Sequence, residues 1–257
     1  MLLLSPRITS DSIALIHAAE AQNQPVMRLP TFRPTDDLHG KRISVYGEPL
    51  FAVIIATSLN HVLVEPPYDW LVTLPEHYVK RWIKHTTISA ASQYPERVFV
   101  KNADGMKSFD ARVYESGAEL PQFYTEDYPV LIAEPVNWKA EFRCFMLDQT
   151  IVAQSLYFID GKIAKDHQGN WLNEPELFSQ ARKFCTAFIQ DKQIAIPPTC
   201  VIDVGVIEGR GWAVIEANPT YASGIYNCDP AGVLQAVNRA CVPEDEHNQW
   251  TAQYEID

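Results

Sequence analysis

Two acidic side chains in the stretch 200–219 have the spacing of a divalent metal site. Runs rich in Val and Ile flank the glycine-containing sequence 208–211, and a loop of even length between such runs predicts a two-stranded hairpin. With a symmetric turn, Asp203 lies opposite Glu216, and Asn218 follows on the same face. Carboxylates only ~5 Å apart repel each other unless a positive charge lies between them. Oxygen ligands of this kind suit magnesium, so the hairpin is predicted to hold Mg2+.

The rest of the hairpin is expected to support that site. Gly205 would leave open space beside Asp203, as expected where a ligand approaches the backbone. The opposite face is predicted to be apolar and buried, and its side chains are Ile202, Val204, Val206, Ala213, Ile215 and Ala217. The alternative interpretation is an ordinary solvated hairpin face with two surface acids.

Two lysines are candidates for binding polyphosphate. Lys101 ends a predicted strand at 97–101, and Lys107 follows a turn that contains Gly105. Ammonium groups beside exposed backbone N–H groups form a combination that suits phosphate. The alternative is that one or both are ordinary loop lysines.

The connector Glu134-Pro135-Val136 follows a predicted buried strand at 128–133. Such a hinge can offer carbonyl groups and the N–H of Val136 to the edge of an adenine ring, while apolar neighbours cover the ring. Pro135 has no N–H and is not the donor. A plain linker between domains has the same features, so both interpretations stay open.

Arg143 lies in mid-strand, on the same predicted face as Glu141 and Phe145. An arginine in this position forms either a structural ion pair with the glutamate or an anion clamp that the glutamate fixes, and the two interpretations have equal weight. Arg81 is predicted, with Lys84 and His85, to occupy a solvated position of a helix.

The elements around these residues predict a mixed α and β protein. The first 65 residues predict four short strands and two helices in a βαβ-like order. A capping box at 73–76 predicts a helix that continues through Ile83. A prolyl pair at 66–67 marks the region of a domain boundary.

The second half of the chain predicts a strand pair at 141–158 and a core helix that follows a capping box formed by Asn173 and Glu176. Asp229-Pro230 predicts the start of a last helix. The polar residues from Glu244 onwards are predicted to fray.

Composition excludes several classes of protein. The chain has 21 Lys and Arg against 32 Asp and Glu, a net charge of −11, which argues against a general binder of nucleic acid or of an acidic membrane. Five widely spaced cysteines without a CxxC pair suggest neither a disulfide framework nor a zinc site. The N-terminus lacks a charged leader, and no apolar run approaches ~18 residues, so a cytosolic location is expected.

The order and spacing of five motifs resemble the ATP-grasp superfamily, and more narrowly its divergent clade named for an arginine and two lysines. That clade includes the assembly factor for eukaryotic translation initiation factor 2. The resemblance covers roughly 74–241, and its motifs are Phe99-Val100-Lys101 with Lys107, Glu134-Pro135-Val136, Glu141-Phe142-Arg143, Asp203, and Glu216-Ala217-Asn218-Pro219.

The resemblance implies an α+β fold in which two subdomains, 74–133 and 134–257, clasp ATP, preceded by a small α/β domain at 1–73. It implies that Lys101 and Lys107 contact the phosphates of ATP and that 134–136 line the adenine site. The remaining roles it implies are neutralisation of phosphate or an anionic substrate by Arg143, with Lys107 and Arg143 as the catalytic pair, and magnesium binding by Asp203, Glu216 and Asn218.

Arg81 is the better candidate for the arginine of the clade, although Arg143 could also fill that role. One departure concerns the phosphate loop, because Gly105 is the only glycine between Val98 and Ser116. A looser lid, or one ordered by the substrate, is therefore expected.

The activity implied is transfer of the γ-phosphoryl group of ATP to a carboxylate, followed by attack of an amine on the acyl phosphate. Such chemistry depends on positioning and charge neutralisation rather than on a protein nucleophile. A peptide or protein is a candidate substrate. The alternative function is an assembly factor that binds ATP and docks a protein partner without ligation.

Overall fold

The computed structural model describes residues 1–103, 109–121 and 127–251. Lys107 and the turn around Gly105 therefore lie outside the described residues. Within the described ranges the chain forms four β-sheets and six α-helices. None of these helices combines the length and the apolar character that a membrane span requires.

The N-terminal part of the chain forms a three-stranded parallel sheet flanked by helices. Its elements in chain order are β1 (Leu2–Leu4), α1 (Ser10–Ala21), β2 (Val26–Arg28), β3 (Ser44–Tyr46) and α2 (Pro49–Ser58), and the strand order is β2-β1-β3. Thr9 caps α1, because its hydroxyl oxygen accepts the N–H of Ser12 while the Ser12 hydroxyl accepts the N–H of Thr9. The predicted βαβ-like order is confirmed.

The end of the described chain returns to this N-terminal part. The strand β4 (His61–Leu63) pairs antiparallel with a late strand, Cys241–Pro243. The N–H of Glu65 donates to the carbonyl of Trp250 over 2.9 Å. The prediction that the residues after Glu244 fray is therefore wrong up to residue 251, because the chain beside β4 supplies hydrogen-bond partners for them.

A second sheet of four antiparallel strands carries Lys101. Its region contains, in chain order, α3 (Glu76–Val79), β5 (Ile83–Thr87), α4 (Ile88–Ser92), β6 (Val98–Asn102), β7 (Arg112–Tyr114) and β8 (Pro129–Ala133), and the strand order is β5-β8-β6-β7. We call it the small sheet. Lys101 lies near the end of the pairing between β6 and β8, opposite Leu131.

The predicted helix from 76 through Ile83 is wrong beyond Val79. Lys80 adopts a left-handed backbone conformation with φ of 49°, and its N–H donates to the carbonyl of Glu76. This conformation ends the helix. The strand β5 that follows pairs with β8, and tertiary pairing outweighs the local helical pattern.

The large sheet has five antiparallel strands in the order β11-β10-β9-β12-β13. Its region contains, in chain order, β9 (Trp138–Leu147), β10 (Thr150–Ile159), β11 (Lys162–Ile163), α5 (Pro175–Gln190), β12 (Thr199–Ile207), β13 (Gly211–Asn218), α6 (Pro230–Val237) and β14 (Cys241–Pro243). Asp148 and Gln149 join β9 to β10 with φ of 45° and 61°, as a two-residue hairpin turn of type I′ requires.

The start of α5 differs from the prediction. Pro175 occupies the first helical position, and the capping residue is Glu174, whose side chain makes no capping hydrogen bond. The capping box predicted for Asn173 and Glu176 is therefore wrong, since a proline at the first turn needs no partner for a missing N–H.

The two faces of the large sheet are covered by different elements. Phe142, Cys144 and Ile202 pack in one hydrophobic cluster with Phe188 of α5. Phe145 belongs to a different cluster, which includes residues of α6 and of the N-terminal strands. Because side chains alternate along a strand, the odd-numbered residues Arg143 and Asp203 project from the α6 face of the sheet.

Candidate active site

Asp203 and Glu216 are direct partners across β12 and β13, as predicted, but the loop length and the strand register that produce this pairing differ from the prediction. The loop has three residues, 208–210, rather than an even number, since Ile207 pairs with Gly211. A β-bulge at Ile215 then shifts the register by one residue.

The bulge also changes which residues of β13 face the core. Val204 pairs with Val214 and Val206 pairs with Trp212, instead of the predicted Ile215 and Ala213. Val214 accordingly joins the cluster of Phe142 and Ile202.

Arg143 and Asp203 form a buried ion pair with two hydrogen bonds. They are partners across β9 and β12. Nε of Arg143 donates to Oδ1 of Asp203 over 3.0 Å, and its second terminal nitrogen donates to Oδ2 over 2.7 Å. A third donor reaches the carbonyl of Gly224 at 2.8 Å. Of the two interpretations of Arg143, the ion pair with Glu141 is therefore not formed, because the neighbouring strand β12 brings the carboxylate of Asp203 to the guanidinium instead.

Each charge of this pair opposes the effect of burial on the pKa of the other group. Burial by itself acts to lower the pKa of Arg143, but the carboxylate of Asp203 raises it above its ordinary value. Burial also acts to raise the pKa of Asp203, which has no exposed surface, while the guanidinium of Arg143 opposes that rise. Arg143 consequently stays charged, with two N–H groups directed at one carboxylate.

Lys101 forms an ion pair with Glu216. The lysine comes from the small sheet and the glutamate from the large sheet, so the pair joins the two sheets. Nδ2 of Asn218 donates to the other carboxylate oxygen over 2.8 Å. Burial acts to raise the pKa of Glu216, but the ammonium of Lys101 and the amide of Asn218 bring it down to about 2. Glu216 is therefore ionised at neutral pH.

The side chains of Glu141, Tyr157 and Tyr226 adjoin this cluster, and of the three Tyr157 was given no role from the sequence. The hydroxyl of Tyr157 donates to Glu141 over 2.9 Å, and the ring of Tyr157 stacks on Tyr226 with 4.8 Å between centroids. The guanidinium carbon of Arg143 lies 4.9 Å from the ring centre of Tyr226. Tyr226 has a left-handed φ of 49°, and non-glycine residues held in that conformation concentrate at functional sites.

Glu141 differs from the other two acids in its charge environment. Burial raises its pKa, the hydrogen bond from Tyr157 opposes the rise, and the negative charges of Asp203 and Glu216 add to it. A glutamate beside a strand arginine was visible in the sequence, but its partner Tyr157 lies on the next strand and has no sequence signal.

Arg81 is buried rather than solvated, contrary to the prediction, because it follows the helix α3 instead of lying on it. Its guanidinium donates to three main-chain carbonyls, those of Val79 at 2.9 Å, Val214 at 2.8 Å and Ile215 at 2.9 Å. Burial lowers the pKa of Arg81 to about 10, against the opposing charges of Glu216 and Glu134. The side chain is still charged at neutral pH.

The connector 134–136 is tied to the tip of the β12–β13 hairpin. Both carboxylate oxygens of Glu134 accept hydrogen bonds from Arg210, over 2.6 and 2.9 Å. Arg210 also donates to the carbonyl of Lys80, whose ammonium donates to the carbonyl of Arg210. The side chain of Glu134 is thus held by the hairpin tip, while its N–H donates to the carbonyl of Trp82.

We expect replacement of Arg210 by alanine to leave the urea midpoint of unfolding nearly unchanged, because both partners are solvent-accessible and their attraction is screened by water. Urea denaturation of Arg210→Ala beside the wild type measures this. A clearly lower midpoint would show that the hairpin tip is a structural support of the connector rather than a surface contact.

Gly205 does not have the open space that the sequence suggested. A Cβ atom at this position would lie 2.6 Å from the carbonyl oxygen of Ala140, 2.8 Å from the Trp138 ring and 3.0 Å from the δ-methyl of Ile215. The glycine therefore makes room for Trp138 and for the bulge residue Ile215, and no ligand is needed to explain it.

The chemistry of the oxygen donors is compatible with magnesium. Among the described residues, no group of three or more His, Cys, Asp or Glu side chains is placed to hold a metal ion. Asp203, Glu216 and Asn218 offer two carboxylates and one amide on adjoining strands, and Mg2+ takes one or two carboxylates and keeps several waters. Arg143 and Lys101 are the charges that balance these acids in the structure.

Residues 78–236 match a family model, that of the ATP-grasp domain of the arginine-and-two-lysines clade, family 2. No curated protein matches the chain. The matched range contains β5 to β13, α4, α5 and most of α6, and with them every described candidate site residue.

Solved structures share the fold at low sequence identity. D-cycloserine synthetase DcsG is 13% identical, with a TM-score of 0.51 over 92% of this chain and 98% of that chain. A RimK domain ATP-grasp protein from Sphaerobacter thermophilus is 13% identical, with a TM-score of 0.52 over 91% and 98%. N5-carboxyaminoimidazole ribonucleotide synthetase from Thermotoga maritima is 11% identical, with a TM-score of 0.50 over 95% and 77%.

Proposed function

Because the chain belongs to family 2 of the arginine-and-two-lysines clade of ATP-grasp domains, we propose that it is an ATP- and magnesium-dependent carboxylate–amine ligase. An oxygen of the substrate carboxylate attacks the γ-phosphorus of ATP, and ADP leaves. The amine then attacks the carbonyl carbon of the acyl phosphate, so that phosphate leaves and the amine loses a proton. The products are an amide, ADP and phosphate.

The observation that carries the proposal is that two acid–cation pairs lie together where the small sheet meets the large sheet. Asp203 with Arg143 and Glu216 with Lys101 bring two carboxylates and two positive charges together. Phosphoryl transfer needs such positioning and charge neutralisation more than it needs a covalent nucleophile. These four residues come from four strands of two sheets, β6, β9, β12 and β13, and the fold brings them to one place.

The oxygen donors Asp203, Glu216 and Asn218 would hold Mg2+. The ion, when bound, would neutralise charge on the phosphate oxygens. Lys101 would then be free to turn from Glu216 toward a phosphate, and Arg143 would keep its orientation because Asp203 holds two of its N–H groups. Lys107 stays a proposed phosphate contact and catalytic residue from the resemblance alone.

The connector 134–136 is the proposed adenine site. Its three residues are half-buried and lie between β8 and β9, where the small sheet passes into the large one. Arg210 draws the carboxylate of Glu134 toward the hairpin tip, so the connector's carbonyl groups and the N–H of Val136 are the proposed contacts. The division into 1–73, 74–133 and 134–257, a peptide or protein as substrate, and a cytoplasmic location belong to the same proposal.

Cys228, whose Sγ lies 3.8 Å from the carbonyl oxygen of Arg143, supports a mechanism without a thiol nucleophile. Burial raises the pKa of Cys228 to about 12, and its sulfur contacts the hydroxyl of Ser155 at 3.3 Å. A thiol with such a pKa is protonated at neutral pH and is a weak nucleophile.

The experiment is calorimetric titration of ATP into the wild type and into Glu216→Gln, with and without magnesium. We expect magnesium to strengthen ATP binding to the wild type. Glu216→Gln should lose this gain by about 100-fold or more, beyond what outer-shell partners of a metal cost. Glu208→Gln is the matched control, since Glu208 lies on the same hairpin with an exposed side chain.

Two outcomes would contradict the proposal. Absence of ATP binding to the wild type would remove the nucleotide from the function. Magnesium-dependent binding without ADP formation, across a panel of amino acids and peptides as carboxylate and amine donors, would favour the partner-docking alternative.

A further inference from the structure

Arg81 approaches the hairpin of Asp203 and Glu216 from outside the large sheet. Lys80 turns the chain with its left-handed φ, and the guanidinium of Arg81 then reaches β13, the edge strand of that sheet. Two of its hydrogen bonds go to consecutive carbonyls, those of Val214 and Ile215. These are the residues at which the β-bulge occurs.

Consecutive carbonyls of a regular strand point to opposite edges, because the backbone alternates with a period of two. One planar guanidinium can therefore bind both only where that alternation is broken. The extra residue of a bulge breaks it. The double contact of Arg81 is thus specific for the bulged form of β13.

The bulge decides which side chain faces Asp203. The three-residue loop pairs Val204 with Val214, and without the extra residue Ile215 would lie opposite Asp203. A one-residue slip moves every side chain to the other face of the strand, so Glu216 and Asn218 would turn away from Asp203. The bulge is therefore a condition for the oxygen cluster.

The guanidinium of Arg81 also lies over an aromatic ring. Its guanidinium carbon lies 5.0 Å from the ring centre of Trp138, and Trp138 in turn lies against Gly205. Stacking on the tryptophan and the carbonyl contacts together use the planar, forked shape of the guanidinium, which a lysine does not reproduce.

We infer that Arg81 is a positioning residue that holds the Ile215 bulge and so places Glu216 and Asn218 opposite Asp203, rather than a direct ligand of the nucleotide phosphates. The consequence for metal binding rests on the proposed function. The consequence for the backbone of β13 does not.

The test compares Arg81→Lys with the wild type by hydrogen exchange of the β13 amides in the absence of ligand. We expect exchange over Gly211–Asn218 to become about tenfold faster or more, since hydrogen bonds from a charged group are lost. The small-sheet strand Val98–Asn102 should keep its wild-type rate. Unchanged exchange over β13 in a folded variant would overturn the inference.

Titration of ADP without metal, and of ATP with magnesium, separates the two roles of Arg81. A positioning role predicts near wild-type affinity of Arg81→Lys for metal-free ADP and a loss of about 10–100-fold in the magnesium-dependent part. A direct phosphate contact predicts that Arg81→Gln weakens metal-free ADP binding while β13 exchange stays unchanged, and this result would also overturn the inference.

Trp138→Leu provides a second variant in case Arg81→Lys does not fold. It removes the ring on which Arg81 stacks, and we expect faster β13 exchange in the same segment. If β13 exchange in this variant equals that of the wild type, the inference fails. If the wild type binds no ATP, the proposed function fails, while the exchange measurements still decide the role of Arg81.

Discussion

Asp203→Ala is expected to lower the free energy of unfolding by about 3–5 kcal/mol, because it leaves the buried guanidinium of Arg143 without its carboxylate. The pKa of Arg143 is raised in the pair, and an arginine does not escape burial by losing its proton. Urea denaturation at neutral pH measures the loss.

Two controls separate this effect from ordinary loss of a surface charge. Asp37→Ala breaks the ion pair with Lys41, in which both side chains are exposed, and should leave the urea midpoint nearly unchanged. The double variant Asp203→Leu, Arg143→Met removes both buried charges and should recover most of the stability. An Asp203→Ala protein within about 1 kcal/mol of the wild type would show that Arg143 finds another partner or water.

Gly205→Ala is expected to destabilise the protein by about 1–3 kcal/mol. The new methyl group would meet the carbonyl oxygen of Ala140 at 2.6 Å, and a strand backbone cannot move away as a side chain can. The side chains of Trp138 and Ile215, which the methyl group would also meet, would be displaced as well. Near-ultraviolet circular dichroism should therefore change together with the urea midpoint.

Gly224→Ala is the matched control for this substitution. Its Cβ would meet the nearest atoms at 3.6 and 3.8 Å, ordinary contact distances, so we expect stability within about 0.5 kcal/mol of the wild type. A stable Gly205→Ala protein with weakened ATP binding would instead support the first interpretation of Gly205, a place where a ligand approaches the backbone.

The two acid–cation pairs have different consequences for the proposed ligase. Arg143 is bound to Asp203 within one sheet and is buried, so its orientation is fixed before any substrate arrives. Lys101 reaches Glu216 from another sheet and keeps about a fifth of its side chain exposed. In the proposed mechanism, Lys101 is therefore the cation that would leave its carboxylate for a phosphate once Mg2+ binds Glu216.

Much of the secondary structure followed from local patterns. The hairpin strands, the β9–β10 pair and α6 were predicted because alternating apolar residues, turn residues and a capping Asp229 act within a few positions of one another. The helix predicted through Ile83 failed because pairing of β5 with β8 is a contact between distant residues.

The sequence by itself determined that Asp203, Glu216 and Asn218 belong to one hairpin, since its turn and flanking strands are local features. That Asp203 faces Glu216 depends on the bulge at Ile215, which only the tertiary structure shows. The sequence also determined that Lys101 lies near the end of a strand. Only the tertiary structure decided that Asp203 neutralises Arg143, that Tyr157 and Tyr226 flank that arginine, and that Arg81 is buried against the bulge. These contacts join residues on different strands or sheets, and no local pattern specifies which strand lies beside which.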